Sequence, residues 1–280
     1  VEESKSIALL VDTPVLELVP GEKRIQSIKV SSNGVTHDLP VEHVCVCTGG
    51  IENSRLLLWS NTRYRGGVVP NAAALGRYWM EHPVYVLADV VTTHGYEMQF
   101  ETFTNDKWYF APSDRAKLSY GIGGAHIWMR AHQANESYAR ELWHQAMCVA
   151  PEWSNRMLKR VGKEYQCGGY IQSEFEQFPR PENRIELDTS VDELGVARTK
   201  LFWKKTDSER RTATIATRLL GEALIRQDIG RLRMRNFLTD GMEWPLTDQG
   251  GGWHHMGGTR MSDSSTTGVV DRNCKVFGMD

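Results

Sequence analysis

Hydrophobic positions along this chain follow two rhythms, and the switch between them outlines the elements. Over residues 7–48 they come in short runs with partial period-two alternation: Ile7-Ala8-Leu9-Leu10-Val11, Val15-Leu16-Glu17-Leu18-Val19 and Ile25-Gln26-Ser27-Ile28-Lys29-Val30. Turn residues separate the runs at Asp12-Thr13-Pro14, Pro20-Gly21-Glu22 and Asn33-Gly34, so this region predicts β-strands. Val44-Cys45-Val46-Cys47 is a continuous apolar run, the type that lies buried on both faces of a parallel sheet. It enters Thr48-Gly49-Gly50 and then a predicted helix over 52–60, with Leu56, Leu57 and Leu58 facing inward.

Alternation returns at Val84, Val86, Ala88 and Val90, and strands are predicted again over 169–176, 183–188 and 199–203, with a turn at Glu193-Leu194-Gly195. The rhythm then changes. Residues 208–231 place Ile215, Leu219, Leu220, Ala223 and Leu224 on one stripe and Arg210, Arg211, Arg218 and Glu222 elsewhere, which predicts a long helix. Residues 95–150 fit neither rhythm. They are rich in aromatics, including Tyr96, Phe100, Trp108, Tyr109, Tyr120, Trp128 and Trp143, and read either as a wall enclosing a substrate or as plain core bulk. Gly121-Ile122-Gly123-Gly124 marks a tight backbone passage inside them.

Composition narrows the function classes. The 280 residues suffice for one large domain or two smaller ones, and 40% hydrophobic with 24% charged residues is ordinary for a globular protein. A net charge of -2, with no basic block longer than Lys204-Lys205, argues against a nucleic-acid surface. No apolar run approaches the roughly 20 residues of a membrane span, and residues 1–5 do not read as a signal peptide. The five cysteines are scattered; Cys45 and Cys47 read as small buried hydrophobes rather than a disulfide or metal pair, which points to a reducing, cytoplasmic compartment.

Two stretches carry chemistry. A strand, two glycines and a helix N-terminus, as at 44–52, is how α/β folds bring backbone amides close to a ligand, although Gly-Gly also closes ordinary turns. Near the C-terminus, Gly250-Gly251-Gly252-Trp253-His254-His255-Met256-Gly257-Gly258-Thr259-Arg260-Met261 sets two imidazoles beside glycines that let backbone approach something bulky. A zinc site would need further ligands, and only Asp263 is near in sequence, so no metal is expected.

The H-x-x-G-G-T-R-M segment, followed by Gly268-Val269-Val270-Asp271 and Val276-Phe277-Gly278, resembles the C-terminal signature of the glucose-methanol-choline (GMC) flavin oxidoreductases. The resemblance extends in order over nearly the whole chain. Thr48-Gly49-Gly50-Ile51-Glu52-Asn53-Ser54-Arg55 looks like the segment after the meander of that family's FAD domain, and Gly76-Arg77 through His82-Pro83 looks like its G-R…H-P segment. Residues 176–198 look like its substrate-domain sheet. For His82, a histidine packed or hydrogen-bonded before a proline is favoured over a ligand.

The resemblance implies an α/β (α+β) fold: a partial FAD-binding Rossmann-like domain, plus a substrate domain whose antiparallel sheet is flanked by helices. Residues 1–82 would be part of the FAD domain, 83–239 the substrate domain, and 240–280 the histidine loop and the return to the FAD domain. The implied activity is oxidation of an alcohol, on a sugar or glycoside, with hydride passing to FAD. His254 stands six residues before Arg260 and is implied as the base; His255 is its hydrogen-bonding or packing neighbour. For the cofactor, Val15 would meet the adenine end through its backbone, and Thr48, Gly49 and Gly50 would pass close to FAD. Oxygen or another electron acceptor would complete the cycle.

The family's G-x-G-x-x-G loop does not precede Thr48, and its second catalytic His or Asn would fall after Asp280. The chain is therefore expected to be a fragment, or one part of a split enzyme with a complementary chain supplying the rest of the FAD domain, and to hold FAD weakly alone. The alternative is a non-catalytic remnant serving as a binding or assembly module.

Overall fold

Asn33 and Gly34 both take positive φ (50° and 75°), the combination that a two-residue hairpin needs to match the twist of its flanking strands. They close the second turn of a meander, β1 (Val15–Pro20), β2 (Ile25–Ser32) and β3 (Val35–Pro40), paired antiparallel in that order. The computed structural model describes residues 6–92, 109–131, 169–246 and 252–280, with Trp153, Arg156 and Arg160. Helix α1 (Gly50–Arg63) follows the meander, somewhat longer than its pattern predicts, with Leu57 buried and Leu56 and Leu58 packed beside it.

The chain forms two units. The first comprises Val1–Met80, Pro179–Lys204 and His254–Asp280. Its core joins distant stretches: Leu18 from β1, Leu57 from α1, then Val68, Val69, Ala74, Leu75 and Val269. The hairpin β7 (Arg184–Val191) and β8 (Ala197–Phe202) belongs here, and Arg55 of α1 ties it down by donating to Ala197 O at 2.7 Å and to Asp192 Oδ2 at 2.5 Å.

The second unit comprises Glu81–Phe178 and Lys205–Trp253. It holds a four-stranded antiparallel sheet in the order β5 (Ala125–Ala131), β6 (Gly169–Phe175), β4 (Val84–Thr92), β9 (Gly230–Met234). Helix α2 (Asp114–Tyr120) precedes β5; α3 (Asp207–Arg226) covers one face, opened by a capping box between Thr206 and Glu209, and α4 (Asn236–Thr239) follows β9. Tyr85, Leu87, Ala88, Val90, Ile127, Ile171 and Phe175 meet Ala213, Ala216, Leu220 and Leu224 of α3 in one core.

The mixture of helices and antiparallel sheets agrees with the expected fold class. Several local expectations need correction. Residues 7–11 form no strand, and Ile7, Leu9, Leu10 and Val11 are exposed: an apolar run becomes a strand only where a neighbour satisfies its backbone, and none of the described residues does so. For the same reason residues 44–47 are not a ladder strand. Val44 and Val46 pack on the first unit's core, while Cys45 and Cys47 point away and are exposed free thiols rather than buried hydrophobes.

The strands over 169–203 do not make one sheet; β6 joins the second unit, and β7 and β8 pair only with each other in the first. Helix α3 ends at Arg226 because the chain then turns into β9. In β4, a bulge between Val86 and Ala88 breaks the alternation: Tyr85 pairs with Ser173, but after the bulge Ala88 pairs with Ile171. The expected stripe is therefore split, with Ala88 and Val90 on the core face and Val86 across from Gln172 on the other. Gly121 is the left-handed cap of α2, and Gly123 donates to Thr212 Oγ1 at 3.0 Å, so the glycine passage runs tightly against α3. The aromatic stretches over 95–108 and 132–150 lie outside the described residues. No helix among the described residues is long and apolar enough to cross a membrane.

Candidate active site

Two loops of the first unit meet at the N-terminus of α1. The first is Thr48-Gly49-Gly50. Gly49 sits at φ 92°, a conformation side-chain-bearing residues avoid, and no side chain caps the helix behind it. Asn53 Oδ1, one turn in, instead accepts from both the backbone N–H and the hydroxyl of Thr48, each at 2.7 Å. Thr48 and Gly49 are exposed, so the uncapped end of the helix, with its positive dipole, is open at this point.

The second loop carries the histidines. It runs antiparallel to residues 76–80: Met80 and Met256 exchange backbone hydrogen bonds at 2.8 and 3.0 Å, Gly258 N–H donates to Arg77 O at 2.9 Å, and Gly76 N–H donates to Gly258 O at 2.7 Å. The packing leaves no room for side chains. A Cβ on Gly257 would stand 1.9 Å from Tyr78 O, and one on Gly258 would stand 2.2 Å from the Ser54 hydroxyl. On α1, a Cβ on Gly50 would stand 2.8 Å from His255 O. Gly50 thus meets the histidine loop at His255, Gly257 meets the backbone at Tyr78, and Gly258 packs on the Ser54 hydroxyl.

Within this clamp the two imidazoles part company, as successive side chains of an extended segment must. His255 is half-buried and its ring lies 5.2 Å from that of Trp79, which is 1% exposed and meets Trp203 edge-on at 5.8 Å. His254 is exposed. Beyond them Arg260 stacks on the Tyr78 ring at 4.6 Å, and its carbonyl accepts from Val269 N–H at 2.7 Å. The R-M and G-V-V-D segments are therefore bound to one another.

The structure brings Gly50 and the loop of His254 together, with Thr48 and Gly49 immediately before. Val15 is placed elsewhere, in β1, where it pairs with Val30 beside a bulge and is 39% exposed. Sequence reading passed over Asn53, Ser54 and Trp79. Asn53 and Ser54 lie on a helix where only the leucines had a pattern, and the signal that could have found them is a polar pair one turn after Gly-Gly. Trp79 could be found only from its place between Gly76 and His82.

Comparison with known proteins bears on this region directly. Residues 179–280 match the model of the GMC oxidoreductase family, the span that holds the β7–β8 hairpin and the histidine loop. This segment is similar to the GMC oxidoreductases over about a third of the chain.

Among solved structures, a formate oxidase is similar in fold, with a TM-score of 0.53, 17% identity, and coverage of all of this chain and 56% of that one. A formate oxidase from Aspergillus oryzae RIB40 follows at TM-score 0.50 and 15% identity, covering 96% of this chain and 54% of that one. An FAD-dependent oxidoreductase from Chaetomium thermophilum matches at TM-score 0.53 and 11% identity, covering 96% and 55%. At such identities the likeness is one of fold. The chain spans little more than half the length of these structures. No curated protein gives a match.

Proposed function

We propose that this chain is part of an FAD-dependent enzyme that oxidises an alcohol group on a sugar or glycoside, with His254 as the base. The observation that carries the reading is the different placement of the two imidazoles. His255 is committed to Trp79, and its backbone is locked to Gly50. His254 stays exposed on a loop whose backbone the glycine clamp holds still. A general base needs that combination: a fixed position and exposure to the solvent side from which a substrate hydroxyl arrives.

The residues present suit a dinucleotide cofactor. Gly49 and Gly50 present backbone without Cβ atoms, the end of α1 carries no side-chain cap, and Thr48 is exposed beside it. Thr48, Gly49 and Gly50 would hold FAD here, and Val15 would meet its adenine end from the meander. When bound, FAD supplies the acceptor for the hydride of the carbinol carbon. His254 Nδ1 or Nε2 takes the hydroxyl proton as that hydride leaves. His255 and Trp79 hold the loop in register, and Arg260 on Tyr78 holds its far end.

The first unit reads as the FAD-domain portion and the second as the substrate domain. For a sugar, the second unit offers Tyr109 and His126 stacked at 4.1 Å with Trp128 beside them, rings of the kind on which sugar faces pack. The exposed Ile7, Leu9, Leu10 and Val11 suit packing against further polypeptide of the same enzyme.

The test is to express the chain with its flanking sequence, add FAD and follow anaerobic bleaching of the bound flavin by a panel of sugars and alcohols. His254→Ala should slow bleaching by roughly 10²–10⁴-fold while the flavin stays bound. A protein that binds no flavin in this form would overturn the reading. One that bleaches equally fast without His254 would remove the base.

A further inference from the structure

In the second unit, His82 sits in a setting that an ordinary packed histidine does not need. Pro83 after it restricts its backbone to extended conformations. Its Nδ1 lies 2.9 Å from Glu174 Oε2, and its backbone N–H donates at 2.9 Å to Glu81 Oε1, which also stands 3.9 Å from Nε2. The imidazole is thus flanked by two carboxylates. Glu174 is itself held in the sheet ladder, across from Val84 on β4 and His126 on β5.

The face of this ring lies against Gly252. A Cβ built on Gly252 would fall 1.8 Å from His82 Cε1 and 2.4 Å from both ring nitrogens, so the ring occupies the space a side chain would take. The next residue, Trp253, has φ of 58°, a left-handed conformation that bulky residues avoid, and its side chain is 80% exposed. Such a backbone conformation persists only where its surroundings impose it. Trp253 itself is 80% exposed, whereas Gly252 is walled in by the ring. The residue after Trp253 is His254.

We infer that Glu174 and His82 are a positioning pair: the carboxylate fixes the imidazole, the imidazole fixes Gly252, and Gly252 sets the turn from which His254 leaves. This rests on the reading of His254 as base. The pair gives Gly252 a reason to be glycine.

The test compares wild type, Glu174→Gln, Gly252→Ala and His254→Ala in the full-length protein loaded with FAD. Glu174→Gln keeps the side-chain volume and removes the charge. It should lower kcat for flavin reduction about tenfold with KM unchanged, and Gly252→Ala should lower it about 100-fold, the scale of a misplacement near 1 Å. In the His254→Ala background, Glu174→Gln should have no further effect; a full, additive loss there overturns the proposal. A second readout does not need activity. Backbone amides over 252–258 should exchange faster with solvent deuterium in Glu174→Gln, while those of β4 and β6 exchange as in wild type. Unchanged exchange over 252–258 also overturns it. If no alcohol reduces the wild-type protein but exchange responds as stated, the function reading has failed and the positioning pair has not.

Discussion

The two units are held together by different means. The second is a sheet with a helix on it: β4, β5, β6 and β9 present Leu87, Val90, Ile127, Ile171 and Phe175 to the face of α3 that carries Ala213, Ala216, Leu220 and Leu224. Its stability lives in side-chain burial. In the first, the core is drawn from small, widely separated stretches, and the histidine loop is held backbone against backbone. Gly50, Gly76, Gly257 and Gly258 each occupy positions where a Cβ would stand within 2.8 Å of another atom. A side-chain core tolerates a change of a methyl group by relaxing around it, at a graded cost. At Gly50, Gly76 and Gly257 the opposing atom is backbone, which has no side chain to move aside; at Gly258 it is the Ser54 hydroxyl. The lesson is that the histidine loop owes its rigidity to the absence of side chains, and should fail abruptly where the sheet fails by degrees.

The sharpest break of that comparison is Gly257→Ala. Its Cβ would stand 1.9 Å from Tyr78 O at φ of 84°, and the loss expected is roughly 4 kcal/mol or more. Denaturant unfolding followed by deuterium exchange should show protection lost in the first unit and kept in β6. Next is Phe175→Ala in the second unit. Phe175 is 1% exposed among Tyr85 and Trp244, and truncation should cost about 3 kcal/mol, with the opposite distribution of lost protection.

A smaller effect tests whether side-chain electrostatics assist the backbone in the first unit. Asp192 accepts from Arg55 and from the N–H groups of Leu194 and Val196 at 2.9 and 3.0 Å. Burial by itself would raise its pKa; the Arg55 guanidinium and the two amides outweigh this and hold it below the usual carboxylate value. A depressed folded pKa means that the stabilisation is complete above the unfolded value, near about 4, and is lost as pH falls through the folded one. Asp192→Ala should therefore cost about 2 kcal/mol at neutral pH, and the gap to wild type should close below about pH 4. A gap that does not change with pH would assign the effect to packing. The smallest is Gly34→Ala. Gly34 also has positive φ, 75°, but a Cβ there meets nothing within 4 Å, so only conformational strain of about 1 kcal/mol is expected. A loss as large as that at Gly257 would refute the claim that close approach, rather than dihedral angle, makes the clamp brittle.

Much was legible from local pattern alone. Period-two runs specify β1 and β2 and the Asn33-Gly34 turn marks where β2 folds back, although no run announces β3 (Val35–Pro40); the 3.6-residue stripe specifies α3, and the turn at Glu193-Leu194-Gly195 specifies the β7–β8 hairpin, because each depends on neighbours a few residues away. The glycine-histidine wording was enough to single out residues 250–261 and the family whose model matches the span that holds them.

Only the tertiary structure decided the rest. Residues 7–11 and 44–47 have strand composition, yet a strand exists only if another backbone satisfies its hydrogen bonds, and a run of apolar letters does not name its partner. The bulge in β4 turned half of a correct alternation to the other face. Which of two adjacent histidines is packed and which is exposed depended on Trp79, some 175 residues earlier in the chain. The glycines were visible from the start, but not what they are for: Gly50 meets His255, Gly257 meets Tyr78 and Gly252 meets His82 across long separations that the chain records only when folded.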